Sequence, residues 1–344
     1  MFRFFRVEKE GFQAMNKKSC SYTSIGGSAL IEGVMMRGNG KLAIALRRND
    51  GTIQLKVENA AAADGWTNKV PVLRGIINFV RSMMLSYKCL MYSADVSMEG
   101  LEEPEEPSKL DLFLEKLMGK TGMAILGTVS MVLGLALSLF LFMYLPALFT
   151  GWAMAWAPAA VKAIAEGAIK ILIFLGYLAL VSLMPDMRRV FQYHGGEHKS
   201  IFCFEAGEEL TPANAMKSRR FHPRCGTSFM LFTLLISIVF AMFIPWGNRL
   251  VRTLIKIAVV PIFMGIAYEF IRYAGKHDNI LTRVFSAPGL WFQRITTKEP
   301  DERQLAVALC ALKGVLNEYP MDKEILVDED GNYLKDKEDE SEAE

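Results

Sequence analysis

Two long stretches of the chain contain no charged residue at all, Thr121 to Val161 and Cys225 to Asn248. A helix that crosses a bilayer needs roughly 20 apolar residues, so each stretch predicts a membrane span. Two more stretches, from about Ala163 to Pro185 and from about Leu250 to Arg272, are apolar with charges toward one end. In the first, Glu166 and Lys170 sit four apart and can pair on one helix face. In the second, Arg252 and Lys256 are expected to snorkel to one interface, with Glu269 and Arg272 at the other. The pattern therefore predicts four transmembrane helices.

The N-terminal quarter follows a different rhythm. Lys41 to Arg48 alternates Leu42, Ile44 and Leu46 against Ala43, Ala45 and Arg47, and Thr52 to Glu58 alternates Ile53, Leu55 and Val57 against polar partners. Asn49-Asp50-Gly51 between them predicts a β-hairpin. The preceding Gly26 to Gly40 is rich in glycine and apolar residues and is compatible with strand, loop or closely packed backbone. From Val72 to Tyr92 the period becomes helical. Ile76, Ile77, Val80, Met83, Met84 and Tyr87 form an apolar stripe, and Arg74, Arg81 and Lys88 form a basic row at seven-residue steps. Such a helix suits an anionic membrane surface, or else packs on the hairpin with its basic face in water.

These patterns set the expected organisation: mainly α, a polytopic membrane protein with a small N-terminal α+β cytosolic module. Residues 1–23 form a flexible N-terminus, 24–95 the hairpin and amphipathic helix, and 96–110 an acidic linker with Pro104 and Pro107. Residues 111–273 form the four-helix membrane domain, with a loop at 186–225. Residues 274–317 are a cytosolic segment in which a helix follows Thr297 and runs to about Asn317. Residues 318–344 read as an acidic tail, disordered from Asp328 onward.

Composition agrees with membrane residence, since 51% of the 344 residues are hydrophobic and the mean hydropathy is +0.21. Basic residues choose the orientation. Arg188, Arg189, Lys199, Lys217, Arg219, Arg220 and Arg224 crowd the segment between the second and third spans, whereas Phe149 to Val161 has no charge. Short basic loops stay cytosolic, so this loop and both termini are expected on the cytosolic side of the cell membrane. MFRFFRVEKE lacks the apolar core of a signal peptide, so the first span is expected to act as the insertion signal. Cys20, Cys89, Cys203, Cys225 and Cys310 show no CxxC spacing and are expected to stay reduced. A net charge of +2, with basic residues spread along the membrane face, argues against nucleic acid as a partner. There is no phosphate-binding loop, dinucleotide fingerprint or nucleophile elbow.

The chemistry-bearing residues gather where the chain leaves and re-enters the bilayer. Three of the four histidines lie between Tyr193 and Thr227, in His194-Gly-Gly-Glu197-His198-Lys199 and His222-Pro-Arg-Cys225-Gly. On a helix, His194 and His198 share one face and can hold one cation. HxxEH is also the arrangement of inverted zinc hydrolases, in which the glutamate, here Glu197, deprotonates the attacking water. Gly195 and Gly196 oppose a helix, each by about 1 kcal/mol relative to alanine. Topology brings His222, Cys225 and Glu269 to the same interface, so the candidate ligands are His194, His198, His222, Cys225 and Glu269. The blander alternatives are polar anchoring at the interface, a closed structural His/Cys site, and a Glu269 that pairs with Arg272 or Arg224. Arg219, Arg220 and Arg224 fit phosphate or simply obey the positive-inside rule. His277 reads as a surface residue.

Ala29-Leu-Ile-Glu-Gly-Val-Met-Met-Arg-Gly38, the HGGEHK block, His222-Pro-Arg-Cys-Gly-Thr-Ser228, Gly265-Ile-Ala-Tyr-Glu269 and Pro288 to Pro300 together resemble the YqhQ-like family of bacterial membrane proteins, also represented in plants. The family is functionally unassigned and carries the label of predicted metal-dependent enzyme, which rests on the same His and Glu positions. The resemblance marks His194, Glu197, His198, His222, Cys225 and Glu269. Gly196 departs from the alanine more usual in that motif. The expected function is a divalent-metal enzyme, with zinc as the ion on His194, His198 and either Glu269 or His222, and with Glu197 as general base, hydrolysing a lipid-linked or membrane-embedded substrate at the cytosolic interface. The alternative is a non-catalytic membrane scaffold or regulator whose N-terminal module recruits a protein partner. A transporter is disfavoured, because the middle of each predicted span lacks uncompensated charge.

Overall fold

Alternating strands close to the N-terminus and an amphipathic helix close to the C-terminus build one unit. The structure, a computed structural model, describes residues 23, 25–60, 69–99, 129–223, 225–274, 277 and 279–336. Cys20, Arg224, the N-terminal segment before Thr23, most of the acidic linker and the end of the acidic tail lie outside the described residues. Strands β1 (Gly26–Leu30), β2 (Gly33–Gly38), β3 (Lys41–Arg47) and β4 (Ile53–Asn59) form an antiparallel meander. The expected β3–β4 hairpin is present, with Arg47 opposite Ile53. Gly26 to Gly40 resolves into a second hairpin. It feeds β3 through Asn39 and Gly40, both at positive φ, the conformation that makes Asn-Gly a favoured two-residue turn.

The acidic tail needs correction. Glu324–Val327 (β5) pairs with β4, and Tyr333–Asp336 (β6) pairs with β5, so the sheet has six strands in sequential order. Ile325, Leu326 and Val327 are buried. Of these two strands only β6 falls in the stretch from Asp328 onward whose charge suggests disorder, and it is held by pairing with β5, which the three apolar residues anchor.

Both sheet faces are covered. Leu30, Met35, Leu42, Ile44 and Leu46 pack with Cys89 and Val96 of α1 (Leu73–Met98). Val34, Ala43, Ala45, Ile53, Leu55 and Val57 pack with α4 (Pro185–Glu205) and α9 (Glu302–Val315). The small residues on this second face let α9 come close, since a Cβ on Gly314 would lie 2.8 Å from that of Ala43. The cap of α9 is Asp301, in a reciprocal box with Gln304, rather than Thr297.

Three helices are long and apolar enough to cross a membrane: α2 (Val129–Ala153), α3 (Ala159–Val181) and α7 (Arg249–Ala274). The fourth expected span is only the 16-residue α6 (Gly226–Ala241). At 1.5 Å per residue it reaches about 24 Å, short of the roughly 30 Å hydrocarbon core. The chain turns at residues 242–248 because Pro245, Gly247 and Asn248 interrupt the apolar run. The expected loop at 186–225 is mostly helix, α4 followed by α5 (Pro212–Lys217). Helix α8 (Ile280–Thr296) packs beside α6.

The charges of α3 and α7 also differ from expectation. Arg252 and Lys256 do not snorkel outward; both are buried on Glu166 of α3. Length and composition place these residues on helices, but only packing brings Glu166 of α3 within reach of Arg252 and Lys256 of α7, two helices that both lie against α6. At its other end α7 crosses α1, where a Cβ on Gly75 would sit 2.9 Å from the Gly265 Cα. The predicted apolar stripe of α1 is not its buried face: Ile76 and Ile77 are half-buried and Val80, Met83, Met84 and Tyr87 are exposed, while Gly75, Cys89, Ser93 and Val96 face inward.

Candidate metal centre

Helix α4 puts His194 and His198 one turn apart, with ring centroids 4.5 Å apart. The helix forms despite its two glycines, and for Gly195 the reason is contact. A Cβ there would lie 2.0 Å from the Lys298 carbonyl oxygen, because residues 297–300 run directly across the helix. The Lys298 amide fixes this crossing by donating to the Phe191 carbonyl at 2.8 Å. Gly196 has ordinary room, with the Ala308 Cβ at 3.5 Å, so the alanine more usual at this motif position fits as well.

His194, His198 and Cys225 bring their ligand atoms within 4.8 Å of one another. The Nε2 of His194 lies 3.1 Å from the Cys225 Sγ, and the Thr227 hydroxyl donates to the same sulfur at 3.3 Å. The opposite side of each imidazole is engaged by backbone. The Nδ1 of His194 lies 2.8 Å from the Thr296 carbonyl oxygen, and the Nδ1 of His198 lies 2.5 Å from that of Arg220. A carbonyl can only accept, so both Nδ1 atoms carry a proton, and in the neutral imidazoles both Nε2 atoms keep a lone pair. Two imidazole nitrogens and a thiol sulfur form a donor set suited to zinc-like ions.

His222 lies next to this group without belonging to it, its ring centroid 5.5 Å from that of His198 and 4.9 Å from that of Phe202. Its backbone is clamped by Gln293, whose Oε1 accepts from the His222 amide at 2.8 Å and whose Nε2 donates to the His222 carbonyl at 2.7 Å. Glu197 is directed to the sheet, where it accepts from the Gly27 amide at 3.0 Å. Burial pushes its carboxyl pKa up, against the opposing influence of His194 and the Gly27 hydrogen bond.

Glu269 is not brought to the cluster. Arg74 of α1 holds it through two hydrogen bonds, from Nε at 2.6 Å and from Nη2, and the Val72 amide adds a third at 3.4 Å. The carboxylate locks the α1–α7 crossing; Arg272 adds only a weaker electrostatic influence, and Arg224 lies outside the described residues. Arg220 pairs with Glu299 at 3.0 Å, as does Lys199 at 3.0 Å. His277 is exposed and stacks on Tyr273.

Gln293 and Thr296 are the site residues that the sequence reading missed. Both lie inside the quoted Pro288 to Pro300 motif. A glutamine that is fully buried in an amphipathic helix is a signal of hydrogen-bonding duty. Thr296 acts through its carbonyl oxygen, which every residue has, so its identity carries no signal.

The family described as "Protein of unknown function (DUF1385)" matches residues 70–318. That range includes every candidate ligand, together with Gln293 and Thr296. The "Uncharacterized protein YqhQ" of Bacillus subtilis (strain 168) is 32% identical over 293 residues, covering 83% of this chain and 89% of that protein. No solved structure matches the chain. The extent of the family match and the near full-length relative agree, and the chain belongs to the YqhQ-like DUF1385 family.

Proposed function

We propose that this protein holds a zinc-like divalent cation on His194, His198 and Cys225, where the sheet unit meets helices that cross the cell membrane. The observation that carries this reading is the backbone grip on both imidazoles, Nδ1 to the carbonyl oxygens of Thr296 and Arg220. Metal-binding histidines are held in this way by their second nitrogen, which fixes the tautomer and aims the first. The positive-inside rule supports a cytosolic position for the site and for the sheet, whose strands come from both ends of the chain.

Three protein ligands leave a fourth position, which is the catalytic form of such sites. An ion bound there supplies a polarised water or substrate oxygen. The reaction class we favour is hydrolysis of a membrane-embedded or lipid-linked substrate that reaches the centre from the bilayer. Glu197 already accepts from Gly27, so we assign proton handling to His222, beside His198. The second reading is a closed structural site with His222 as fourth ligand in a scaffold protein, and it draws on the same proximity.

Elemental analysis after chelator-free purification in detergent tests the proposal. The expected result is about one equivalent of metal in the wild type, as one His/Cys ligand set holds one ion. Metal should be absent from His198→Ala and retained in Glu197→Gln. Metal-free wild-type protein would end both readings. Cys225→Ser separates them: a folded protein with weaker binding points to the open site, and joint loss of metal and fold points to the closed one.

A further inference from the structure

At the end of the helix bundle away from the sheet, α3 and α7 enclose a second polar cluster. Glu166 and Lys170 come from α3, Arg252 and Lys256 from α7, and their residues are only 1, 8, 2 and 5% exposed. The Glu166 carboxylate accepts from Arg252 Nη2 at 3.3 Å and from the Lys256 ammonium. The Arg252 guanidinium is aimed by its surroundings. It donates to the carbonyls of Ala241, at 2.8 Å, and of Ile244, and lies 4.2 Å from the centre of the Trp246 ring.

After these bonds the cluster still has donors without acceptors. Among the described residues the Nε of Arg252 is buried with no hydrogen-bond partner, and so is the neighbouring Thr253 hydroxyl. Lys170 has neither hydrogen bond nor ion pair among the described residues, although it lies within electrostatic reach of Glu166 and Arg252. Three basic side chains face a single carboxylate. Excess positive charge in a low-dielectric interior is unfavourable by several kcal/mol per ion, and intramembrane charge commonly marks a binding or transport path. Arg252 cannot relieve the excess by losing its proton. A group that is both anionic and rich in acceptors relieves it directly, whereas a cation is repelled and an apolar group leaves the donors unmet.

We propose that Lys170, Arg252 and Lys256 form a binding site for a phosphate-class oxyanion, either free inorganic phosphate or the phosphodiester of an anionic lipid headgroup. Arg252 lies in the first turn of α7, immediately after the turn at residues 242–248, and Lys170 lies midway along α3, so the site runs inward from the end of the bundle. Glu166 then serves to hold Arg252 and Lys256 in place, and Lys170 supplies the unused ammonium.

The test uses the full chain in phosphatidylcholine nanodiscs. Melting temperature is followed as inorganic phosphate replaces chloride at constant ionic strength, and native mass spectrometry follows retention of phosphatidylglycerol. A saturable phosphate-dependent rise identifies the free ion; retained phosphatidylglycerol without that rise identifies the headgroup. Lys170→Met should weaken the response about tenfold, the scale of one lost charge-assisted hydrogen bond, and Lys170→Arg should preserve it. No response to either probe in the wild type, or an undiminished response in folded Lys170→Met, overturns the proposal. His198→Ala should leave the response intact, so failure here is distinguishable from failure of the metal centre.

Discussion

Helix α4 and its neighbours gather lone pairs at the sheet end of the bundle, on His194, His198 and Cys225, whereas α3 and α7 gather donors at the other end, on Lys170, Arg252 and Lys256. Both clusters are largely buried, yet they are finished differently. At the first, backbone carbonyls engage each Nδ1 and leave acceptor atoms facing inward. At the second, one carboxylate serves two cations and leaves Nε of Arg252 unmet. The difference teaches which sign of ligand each suits, a cation at the first and an anion at the second. It also separates what each end depends on: local backbone packing for the histidines, and charge balance for the basic cluster.

The largest expected effect tests the charge balance. Glu166→Gln removes the carboxylate shared by Arg252 and Lys256, and breaking a buried ion pair from one side is destabilising by about 3–5 kcal/mol. Thermal and denaturant unfolding in detergent should show that loss while metal content stays unchanged. If stability holds, the cluster is hydrated and its charges do not depend on one another.

The packing of the histidine end is tested next, by two adjacent glycines. Gly195→Ala forces a Cβ to within 2.0 Å of the Lys298 carbonyl oxygen, and overpacking of this kind is destabilising by about 1–3 kcal/mol. It should also lower metal content, because Lys298 immediately follows the Thr296–Thr297 pair behind His194. Gly196→Ala meets only ordinary contacts and should stabilise α4 by about 0.5–1 kcal/mol. Equal effects at the two positions would show that residues 297–300 do not fix the helix.

A smaller change sharpens the comparison further. Thr227→Val removes the hydroxyl that donates to the Cys225 sulfur and should weaken metal binding about tenfold, the lower end of the range for outer-shell groups. Competition with a chromophoric chelator measures it. Unchanged affinity would mean that this hydroxyl does not orient the sulfur.

Much of this architecture is legible in the chain itself. The uncharged run at 121–161 marks α2 and the approach to α3, and alternation around Asn49-Asp50-Gly51 marks β3 and β4. The Asn39-Gly40 turn between β2 and β3 carried an equally clear signal. The pairing of Glu269 with Arg74 did not, because residues nearly two hundred positions apart meet only through the Gly75–Gly265 crossing. Strands β5 and β6 were hidden for a related reason: short strands within an acidic segment gain their stability from β4, whose neighbour cannot be inferred from local pattern.

Local pattern alone determined the β3–β4 hairpin, the helix around residues 72–92 and the apolar runs of α2, α3 and α7, because each of these follows from residues close together in sequence; the helical form of 185–205 and the shortness of α6 did not follow from it. Tertiary structure alone decided which groups share a site. It placed Cys225 with His194 and His198, directed Glu197 to Gly27 and Glu269 to Arg74, and enclosed Arg252 and Lys256 around Glu166. The physical reason is that hydrogen bonds and ion pairs act over a few ångströms of space, and that proximity is set by how helices and sheet pack.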